Sequence, residues 1–247
     1  YLGMEHQTIN AYGNNYKKTK RGYDFILFHE AGHEWWGNYI SVADWSDFWI
    51  HEGICTYAES MYIEEKFGLE SAKNFIDERF KKNITNTAPI VPDRNSNANL
   101  ESGNDVYYKG AHALHMLRYI IGKETLWASL KEYLQMPKEL PDNQTSTDEF
   151  ISLIEENSGM KLDWFFNQYF FKKELPTLKK LEKTINNKKY VDLWWEEVDF
   201  KMPVEINYFS FDGKRYKKLD LDNKPKRFVI PSDSKLIIDP NRWLLYK

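Results

Sequence analysis

Hydrophobic and polar residues follow a helix-compatible spacing along most of the chain. This pattern predicts helices at residues 24–40, 47–67, 71–83, 106–121, 125–135, 147–157 and 162–171. Asp47 is expected to be the N-cap of the second of these helices. Residues 1 to about 20 are expected to form an extended segment and a loop. A polar break at 41–46 and a long stretch rich in Asn, Ser, Pro and Gly at 85–105 are also predicted to be loops. The chain before residue 176 is therefore predicted to be mainly α-helical.

The pattern changes after Leu175-Pro176, where short apolar runs lie between turn-forming residues. Strands are predicted at 177–185, 190–198, 203–209, 216–221, 226–230 and 236–238. Asn186-Asn187 and Asp212-Gly213 are typical of hairpin turns. Several short strands at this spacing indicate a small β-sandwich. We therefore expect two domains, at residues 1–175 and 176–247.

Composition narrows the class of protein. The 247 residues are 42% hydrophobic and 16% aromatic, which indicates a globular chain rather than a disordered tail. The formal net charge of −3 argues against nucleic acid as a partner, and no apolar run is long enough to be a transmembrane segment. Cys55 is the single cysteine, so cysteine usage does not distinguish a cytoplasmic from a periplasmic or secreted compartment. We expect a soluble protein in one of these compartments. A first residue of Tyr1 rather than Met suggests a fragment or a processed chain.

The strongest chemical signal is His29-Glu30-Ala31-Gly32-His33, in the first predicted helix. The two histidines are one helical turn apart, so both imidazoles leave the same face and can bind one metal ion. Glu52, near the start of the next predicted helix, can supply a third ligand. Three protein ligands leave one zinc position open for water or substrate, as catalysis requires. We expect one Zn²⁺ per chain, with Glu30 beside it as the general base.

Other interpretations of these residues stay open at this point. Two histidines on one helix can pack in a core without binding a metal. Glu59 follows Glu52 on the same helix face and is either a hydrogen-bond partner of a ligand histidine or a solvated carboxylate. Glu5 either holds the α-ammonium group of a substrate or is an ordinary surface residue. Cys55 is expected to be an inert buried thiol.

Four stretches of the chain carry a resemblance to a known family. They are Gly3-Met4-Glu5-His6 (compare G-x-M-E-N), residues 29–33 with Glu52 (the zinc motif), residues 47–53 (compare L-W-L-N-E-G), and Tyr107-Tyr108-Lys109-Gly110 (compare Y-x-K-G). Together they resemble the zinc aminopeptidases of the aminopeptidase N and leukotriene-hydrolase type, which are thermolysin-like gluzincins. Residues 163–175 resemble the stretch that closes the family's catalytic domain. His6 and His51 stand where asparagine is usual, which bears on fine substrate preference.

The resemblance implies a mainly α-helical gluzincin catalytic domain followed by a small all-β sandwich domain. It implies zinc ligands His29, His33 and Glu52, catalytic residues Glu30 and Tyr107, and a substrate-binding stretch of Gly3, Met4 and Glu5. Glu5 would hold the free α-amine, and Tyr107 would stabilise the developing oxyanion. The family places a β-rich domain before its G-x-M-E-N motif, and part of the amine site comes from that domain. We therefore expect this chain to lack that N-terminal β domain and to be weakly active alone.

The resulting prediction is a zinc-dependent aminopeptidase that hydrolyses the N-terminal peptide bond of peptides with a free N-terminus. A zinc endopeptidase is the first alternative, and Glu5 argues against it. A zinc-containing peptide-binding or structural module with little turnover is the second, and the presence of Glu30 argues against that interpretation.

Overall fold

The computed structural model describes residues 2–211 and 213–247. The chain divides into two compact units, the first ending at Lys173 and the second beginning at Glu174. The first unit is mainly helical and the second consists of antiparallel strands, which confirms the predicted order of a helical part and a small all-β part. None of the helices in these described ranges combines the length and apolar character that crossing a membrane requires.

The first unit opens with a hairpin of β1 (Gly3–His6) and β2 (Ile9–Tyr12), in which Glu5 lies opposite Asn10. Side chains alternate between the two faces of a strand. Accordingly Gly3 and Glu5 are partly buried, while the residues between and after them are exposed. The half-buried face of β1 therefore presents both of these residues to the rest of the unit.

Helix α1 (Phe25–Gly32) contains His29, and His33 is its C-cap residue. Asp24 is its N-cap residue. The Asp24 carboxylate accepts hydrogen bonds from the backbone N–H groups of Ile26 at 3.1 Å and Leu27 at 3.3 Å. These bonds satisfy donors that the first helical turn leaves free. The same carboxylate accepts a hydrogen bond from the Tyr12 hydroxyl. The cap thus joins the end of β2 to the start of α1.

The prediction of one helix over 24–40 is wrong in its second half. Helix α1 stops at Gly32, and the chain continues in turns in which the Asn38 N–H donates to the His33 carbonyl at 2.8 Å. Gly37 has φ +140°, a conformation that a right-handed helix excludes and that glycine adopts readily. His33 keeps helical angles (φ −66°, ψ −15°), so the one-turn spacing of the two histidines survives.

A 3₁₀ turn (Trp45–Asp47) leads into α2 (Trp49–Phe67). The prediction that Asp47 caps this helix is wrong. Asp47 is buried within the 3₁₀ turn, and its carboxylate instead binds the Arg94 guanidinium and accepts a hydrogen bond from the Thr147 hydroxyl at 2.6 Å. The carboxylate therefore links distant segments rather than capping the helix that follows it.

The remaining helices of the first unit are α3 (Leu69–Phe75), α4 (Ala98–Glu101), α5 (Tyr108–Ile121), α6 (Lys123–Gln135), α7 (Thr147–Ser158) and α8 (Asp163–Tyr169). Helix α3 continues as a π-helical turn (Ile76–Phe80) and a 3₁₀ turn (Lys81–Asn83). A short parallel pair joins β3 (Ser41–Val42) to β4 (Gln144–Thr145). The long loop predicted at 85–105 contains α4, so it is more ordered locally than its composition indicates.

Helices α2 and α5 approach closely at two glycines. A β-carbon on Gly53 would lie 3.0 Å from the Val106 carbonyl oxygen and 3.3 Å from the Gly110 α-carbon. Contacts this short are tighter than a β-carbon normally makes, so glycine at both positions favours the close approach. This close approach also brings two candidate site residues towards each other, because Glu52 precedes Gly53 on α2 and Tyr107 precedes α5.

The described residues of the second unit form two three-stranded antiparallel sheets. In chain order its strands are β5 (Thr177–Ile185), β6 (Lys188–Glu196), β7 (Met202–Ser210), β8 (Gly213–Leu221), β9 (Lys226–Pro231) and β10 (Ile237–Ile238). The sheet orders are β5-β6-β9 and β10-β7-β8. Trp195 of β6 is fully buried and its indole N–H donates to the Met202 carbonyl of β7 at 3.3 Å, which ties one sheet to the other.

The turn between β5 and β6 occurs at Asn186-Asn187, as predicted. Both residues have positive φ, 48° and 56°, and asparagine tolerates this region better than most residues. The second predicted turn, Asp212-Gly213, includes Asp212, which lies outside the described residues.

Candidate active site

The two motif histidines converge on one point at the end of α1. His29 Nε2 and His33 Nε2 lie 3.2 Å apart, and the planes of the two rings are nearly perpendicular at 86°. The His33 side chain is 1% exposed and the His29 side chain is 13% exposed. One turn of helix therefore delivers two imidazole nitrogens to a largely buried position.

Glu52 of α2 reaches the same point from the facing helix. Its Oε2 lies 3.1 Å from His29 Nε2 and 3.4 Å from His33 Nε2. The three potential ligand atoms all lie within 4.8 Å of one another. Two imidazole nitrogens and one carboxylate oxygen form a donor set that suits a catalytic zinc ion, so these residues fit the predicted metal.

The positive charge of His29 and His33 and the negative charge of Glu52 compensate each other. Burial alone would raise the pKa of Glu52, yet the hydrogen bonds and positive charge of His29 and His33 hold that pKa well below its usual value. Burial alone would lower the pKa of His29, but its contacts with Glu52 and Glu59 raise it instead. A divalent cation would replace the protons that otherwise compensate the buried carboxylates.

The Nδ1 atoms of His29 and His33, on the side of each ring away from the shared point, have polar partners of their own. His29 Nδ1 lies 3.3 Å from Glu59 Oε1, and the Glu59 side chain is 1% exposed. His33 Nδ1 lies 3.0 Å from the Trp36 carbonyl oxygen, which makes that nitrogen the hydrogen-bond donor. Such contacts orient the rings and leave Nε2 of each histidine available to a metal. The position of Glu59 is the one that its spacing from Glu52 predicts.

Cys55 lies next to this arrangement. The thiol is buried, with Sγ 3.4 Å from His33 Nδ1 and 3.6 Å from the Trp36 carbonyl. It packs behind a histidine ring, on the side away from Nε2. The burial agrees with the expected inert thiol, and the contact with His33 is a feature that the sequence did not indicate.

Glu30 and Glu5 face each other across the same space. Ligand atoms of Glu5, Glu30 and His33 lie within 4.8 Å of one another. Burial raises the pKa of Glu30, opposed by His29 and His33 and aided by the negative charge of Glu5. A carboxylate with a raised pKa is a better proton acceptor than an ordinary glutamate.

Tyr107 immediately precedes α5 and faces His29. The two rings are stacked, with centroids 6.2 Å apart and planes 29° from parallel. Burial raises the pKa of Tyr107, and the negative charges of Glu52, Glu5 and Glu30 raise it further. The phenol therefore keeps its proton and can donate a hydrogen bond.

Comparison with known proteins assigns the family. The model of the peptidase family M1 domain matches residues 4–169 of this chain. The chain belongs to peptidase family M1. Of the predicted site residues, all but Gly3 lie inside this match, and Gly3 directly precedes it. The predicted family is thus confirmed.

Curated M1 relatives are distant and longer. The chain is 27% identical over 175 residues to glutamyl aminopeptidase of Bitis rhinoceros, covering 67% of this chain and 18% of that protein. It is 24% identical over 164 residues to aminopeptidase M1 of Arabidopsis thaliana, covering 62% of this chain and 18% of that protein. The chain therefore spans about a fifth of the length of these relatives.

Solved structures confirm the M1 fold. Legionella pneumophila aminopeptidase A in complex with aspartic acid superposes with a TM-score of 0.69 at 16% identity, covering 99% of this chain and 28% of that chain. An M1 zinc metallopeptidase from Deinococcus radiodurans gives a TM-score of 0.57 at 22% identity, covering 71% of this chain and 38% of that chain.

In this M1 chain, the predicted site residues line one cavity of about 550 Å³. The predicted residues on its wall are Gly3, Met4, Glu5, His29, Glu30, His33, Glu52, Glu59 and Tyr107. Met4 is exposed at the rim, and Gly3 lies directly against the Glu30 carboxylate. The structure thus brings every predicted site residue together, while their individual roles stay predictions.

The same cavity contains residues that the sequence analysis did not select. Arg79 and Phe25 line it, as do Trp45 and Phe48 from the segment before α2. Arg79 belongs to the stretch at residues 71–83 that was predicted only as a helix. No local pattern distinguishes it from the other basic residues nearby, so only tertiary structure identifies it.

His51 stands at a position where the resemblance led us to expect asparagine, and its Nε2 has a hydrogen-bond partner outside the cluster of His29, His33 and Glu52. It is buried, and its Nε2 accepts a hydrogen bond from the Val42 N–H at 3.1 Å. Burial, assisted by the nearby charge of His33, lowers the pKa of His51 to about 4, so its ring is neutral near pH 7. His51 thus holds β3 against the start of α2.

Proposed function

We propose that this chain is the catalytic part of a zinc-dependent aminopeptidase that removes the N-terminal residue of peptides. The observation that carries the proposal is the convergence of His29, His33 and Glu52 beside two further carboxylates, Glu30 and Glu5, in one cavity. The first three match a catalytic zinc donor set. The other two match a general base and a receptor for an ammonium group.

His29, His33 and Glu52 would hold one Zn²⁺. When bound, zinc supplies Lewis-acid chemistry that polarises a peptide carbonyl and makes water a better nucleophile. The hydrogen bonds and positive charge of the neighbouring histidines hold the pKa of Glu52 low, which favours the ionised carboxylate that can bind a cation. Glu59 and the Trp36 carbonyl fix the orientation of the two rings from behind.

Glu30 would take the proton from the attacking water and pass it to the nitrogen of the leaving amine. Its burial raises its pKa, which favours proton acceptance. Tyr107 keeps its hydroxyl proton and would donate a hydrogen bond to the carbonyl oxygen as that oxygen becomes negative. Glu5 would hold the substrate's α-ammonium group, which limits cleavage to the first peptide bond.

We also propose the domain assignment of a catalytic domain at 1–175 and a β-sandwich domain at 176–247. The division of the chain into compact units near Lys173 supports this boundary. In the whole protein, peptides with a free N-terminus are the proposed substrates. A preceding β domain, which the curated relatives' greater length allows, would complete the amine site.

The test compares peptides with a free N-terminus and the same peptides N-acetylated, with and without a chelator. An aminopeptidase hydrolyses only the free peptides and loses this activity when zinc is removed. Hydrolysis of acetylated peptides at similar rates would instead identify an endopeptidase. Stoichiometric zinc without any hydrolysis would identify a peptide-binding or structural module.

A further inference from the structure

Arg79 lies on the wall of the cavity that holds the proposed zinc site. It belongs to the π-helical turn Ile76–Phe80, and its side chain is 32% exposed. The guanidinium carbon lies 4.3 Å from the centre of the Phe25 ring and 5.6 Å from that of Tyr108. Aromatic rings attract a guanidinium group and restrict its plane. Arg79 is therefore a fixed cation at the edge of the site.

The inner nitrogen of Arg79 faces a buried carboxylate. Nε lies 3.9 Å from Glu59 Oε2, which is too long for a hydrogen bond, and both atoms are buried without a hydrogen-bond partner among the described residues. This contact aligns the inner edge of the guanidinium group with Glu59.

The terminal nitrogens of Arg79 make no hydrogen bond to any residue that the structure describes, and the partly exposed side chain lines the cavity. A guanidinium group with two parallel N–H donors matches the two oxygens of a carboxylate. Buried or half-buried arginines usually donate these hydrogen bonds to a protein carboxylate. Here they are available to a ligand that enters the cavity.

The cavity wall therefore includes both a carboxylate, Glu5, that suits an ammonium group and a cation, Arg79, that suits a carboxylate. A volume of about 550 Å³ accommodates a short peptide. The chemistry that satisfies both charges at once is a small zwitterion with a peptide bond between its charged groups.

We propose that Arg79 binds a carboxylate of the substrate, and that the site consequently favours short peptides that carry one. This inference rests on the proposed function, since it places a peptide in the cavity. The carboxylate has two sources, the free C-terminus of a dipeptide or tripeptide and an acidic side chain. Both present the same two oxygens to the guanidinium group, and matched peptides distinguish them.

Equilibrium binding tests the proposal without depending on turnover. The zinc-loaded Glu30→Gln protein is titrated in a calorimeter with two pairs of peptides. Ala-Ala against Ala-Ala-amide isolates the C-terminal carboxylate, and Asp-Ala-amide against Asn-Ala-amide isolates an acidic side chain. Each measurement is repeated with the Glu30→Gln protein that also carries Arg79→Gln or Arg79→Lys. Zinc content and circular dichroism accompany every variant.

We expect at least one pair to show tighter binding of the carboxylate member, and Arg79→Gln to reduce that preference about tenfold or more. Arg79→Lys should retain part of it, because the charge remains while the paired donors are lost. Arg21→Gln is the matched control. Arg21 also stacks on a ring, Phe75 at 5.5 Å, and lies 3.9 Å from Glu78, but it does not line the cavity.

A purely structural role of Arg79, acting through Glu59 and His29, would weaken both members of each pair equally. An unchanged acid-to-amide ratio in Arg79→Lys and Arg79→Gln therefore overturns the proposal, as does equal binding of both members by the parent protein. Failure of the proposed function has a different signature. In that case the peptides bind with an Arg79-dependent preference, but the protein with Glu30 intact does not hydrolyse them.

Discussion

Gly3 lies against the carboxylate of Glu30, so closely that a β-carbon on Gly3 would be 2.6 Å from Glu30 Cδ. Glycine at this position is therefore a condition for the observed placement of the proposed general base. The relationship also explains how strand β1 contributes to the site. Its half-buried face supplies the space that Glu30 occupies and, two residues later, the carboxylate of Glu5.

Gly3→Ala should displace the Glu30 carboxylate while leaving the metal ligands in place. Because small misplacements of a catalytic group reduce rates strongly, we expect kcat to fall by about 100-fold with zinc content unchanged. Steady-state kinetics and metal analysis measure the two quantities. Gln7→Ala, at an exposed position of the same hairpin, is the control. A normal kcat for Gly3→Ala would show that Glu30 does not need its observed position.

Glu30→Gln keeps the size of the side chain and removes its capacity to accept a proton. Turnover should fall by at least ~100-fold, with bound zinc retained, if Glu30 is the general base. Glu34→Gln is the matched control, since Glu34 lies one turn further along the chain and is exposed. Equal turnover in the Glu30→Gln and Glu34→Gln proteins would remove Glu30 from the proposed mechanism.

Tyr107→Phe removes the hydroxyl that we propose as a hydrogen-bond donor to the developing oxyanion. Loss of one such donor should lower kcat about 100-fold or more with little change in KM or in zinc content. Tyr39→Phe, at an exposed tyrosine, provides the comparison. A fall in kcat accompanied by loss of zinc would instead indicate that Tyr107 supports the metal ligands structurally.

A separate prediction concerns the ion pair between α2 and α5. Glu64 binds Arg118 Nη2 at 2.9 Å and Lys123 Nζ at 3.0 Å, and its side chain is 11% exposed. Burial alone would raise the pKa of Glu64, but these cations hold it below its ordinary value of 4.5. A lowered folded-state pKa contributes stability that is present above pH 4.5 and lost as the pH falls through the lowered pKa.

Glu64→Gln should therefore reduce the free energy of unfolding by about 3 kcal/mol at pH 7, because it leaves a mostly buried guanidinium group without its charge partner. The difference from the unmodified chain should shrink as the pH is lowered below 4.5. Urea unfolding at several pH values measures it. Glu65→Gln, at the exposed neighbouring glutamate, should have almost no effect. A difference that stays constant down to pH 3 would contradict the assigned ion pair.

Local sequence patterns predicted the helical part, the β part and most helix and strand positions. They succeeded because periodicity and turn residues report on single elements. They failed where contacts between segments far apart in the chain determine the local structure. The helix expected over 24–40 ends early because the segment after His33 turns back, and Asp47 binds Arg94 and Thr147 rather than capping α2.

The sequence by itself determined the chemistry that this chain can offer. The one-turn spacing of His29 and His33 presents two nitrogens on one helix face whatever surrounds that helix. Glu30 belongs to the same motif, and Glu52 belongs to the motif at the start of the next predicted helix. Family membership followed from these motifs for the same reason, since each is a local pattern.

Only the tertiary structure decided which residues share the cavity. Gly3 lies against Glu30, Tyr107 stacks on His29, and Arg79 enters the cavity wall beside Phe25 through contacts between segments far apart in the chain. The physical reason is that close packing between elements, such as the approach of α2 and α5 at Gly53, fixes the relative positions of residues from different segments. No periodicity within one segment contains that information.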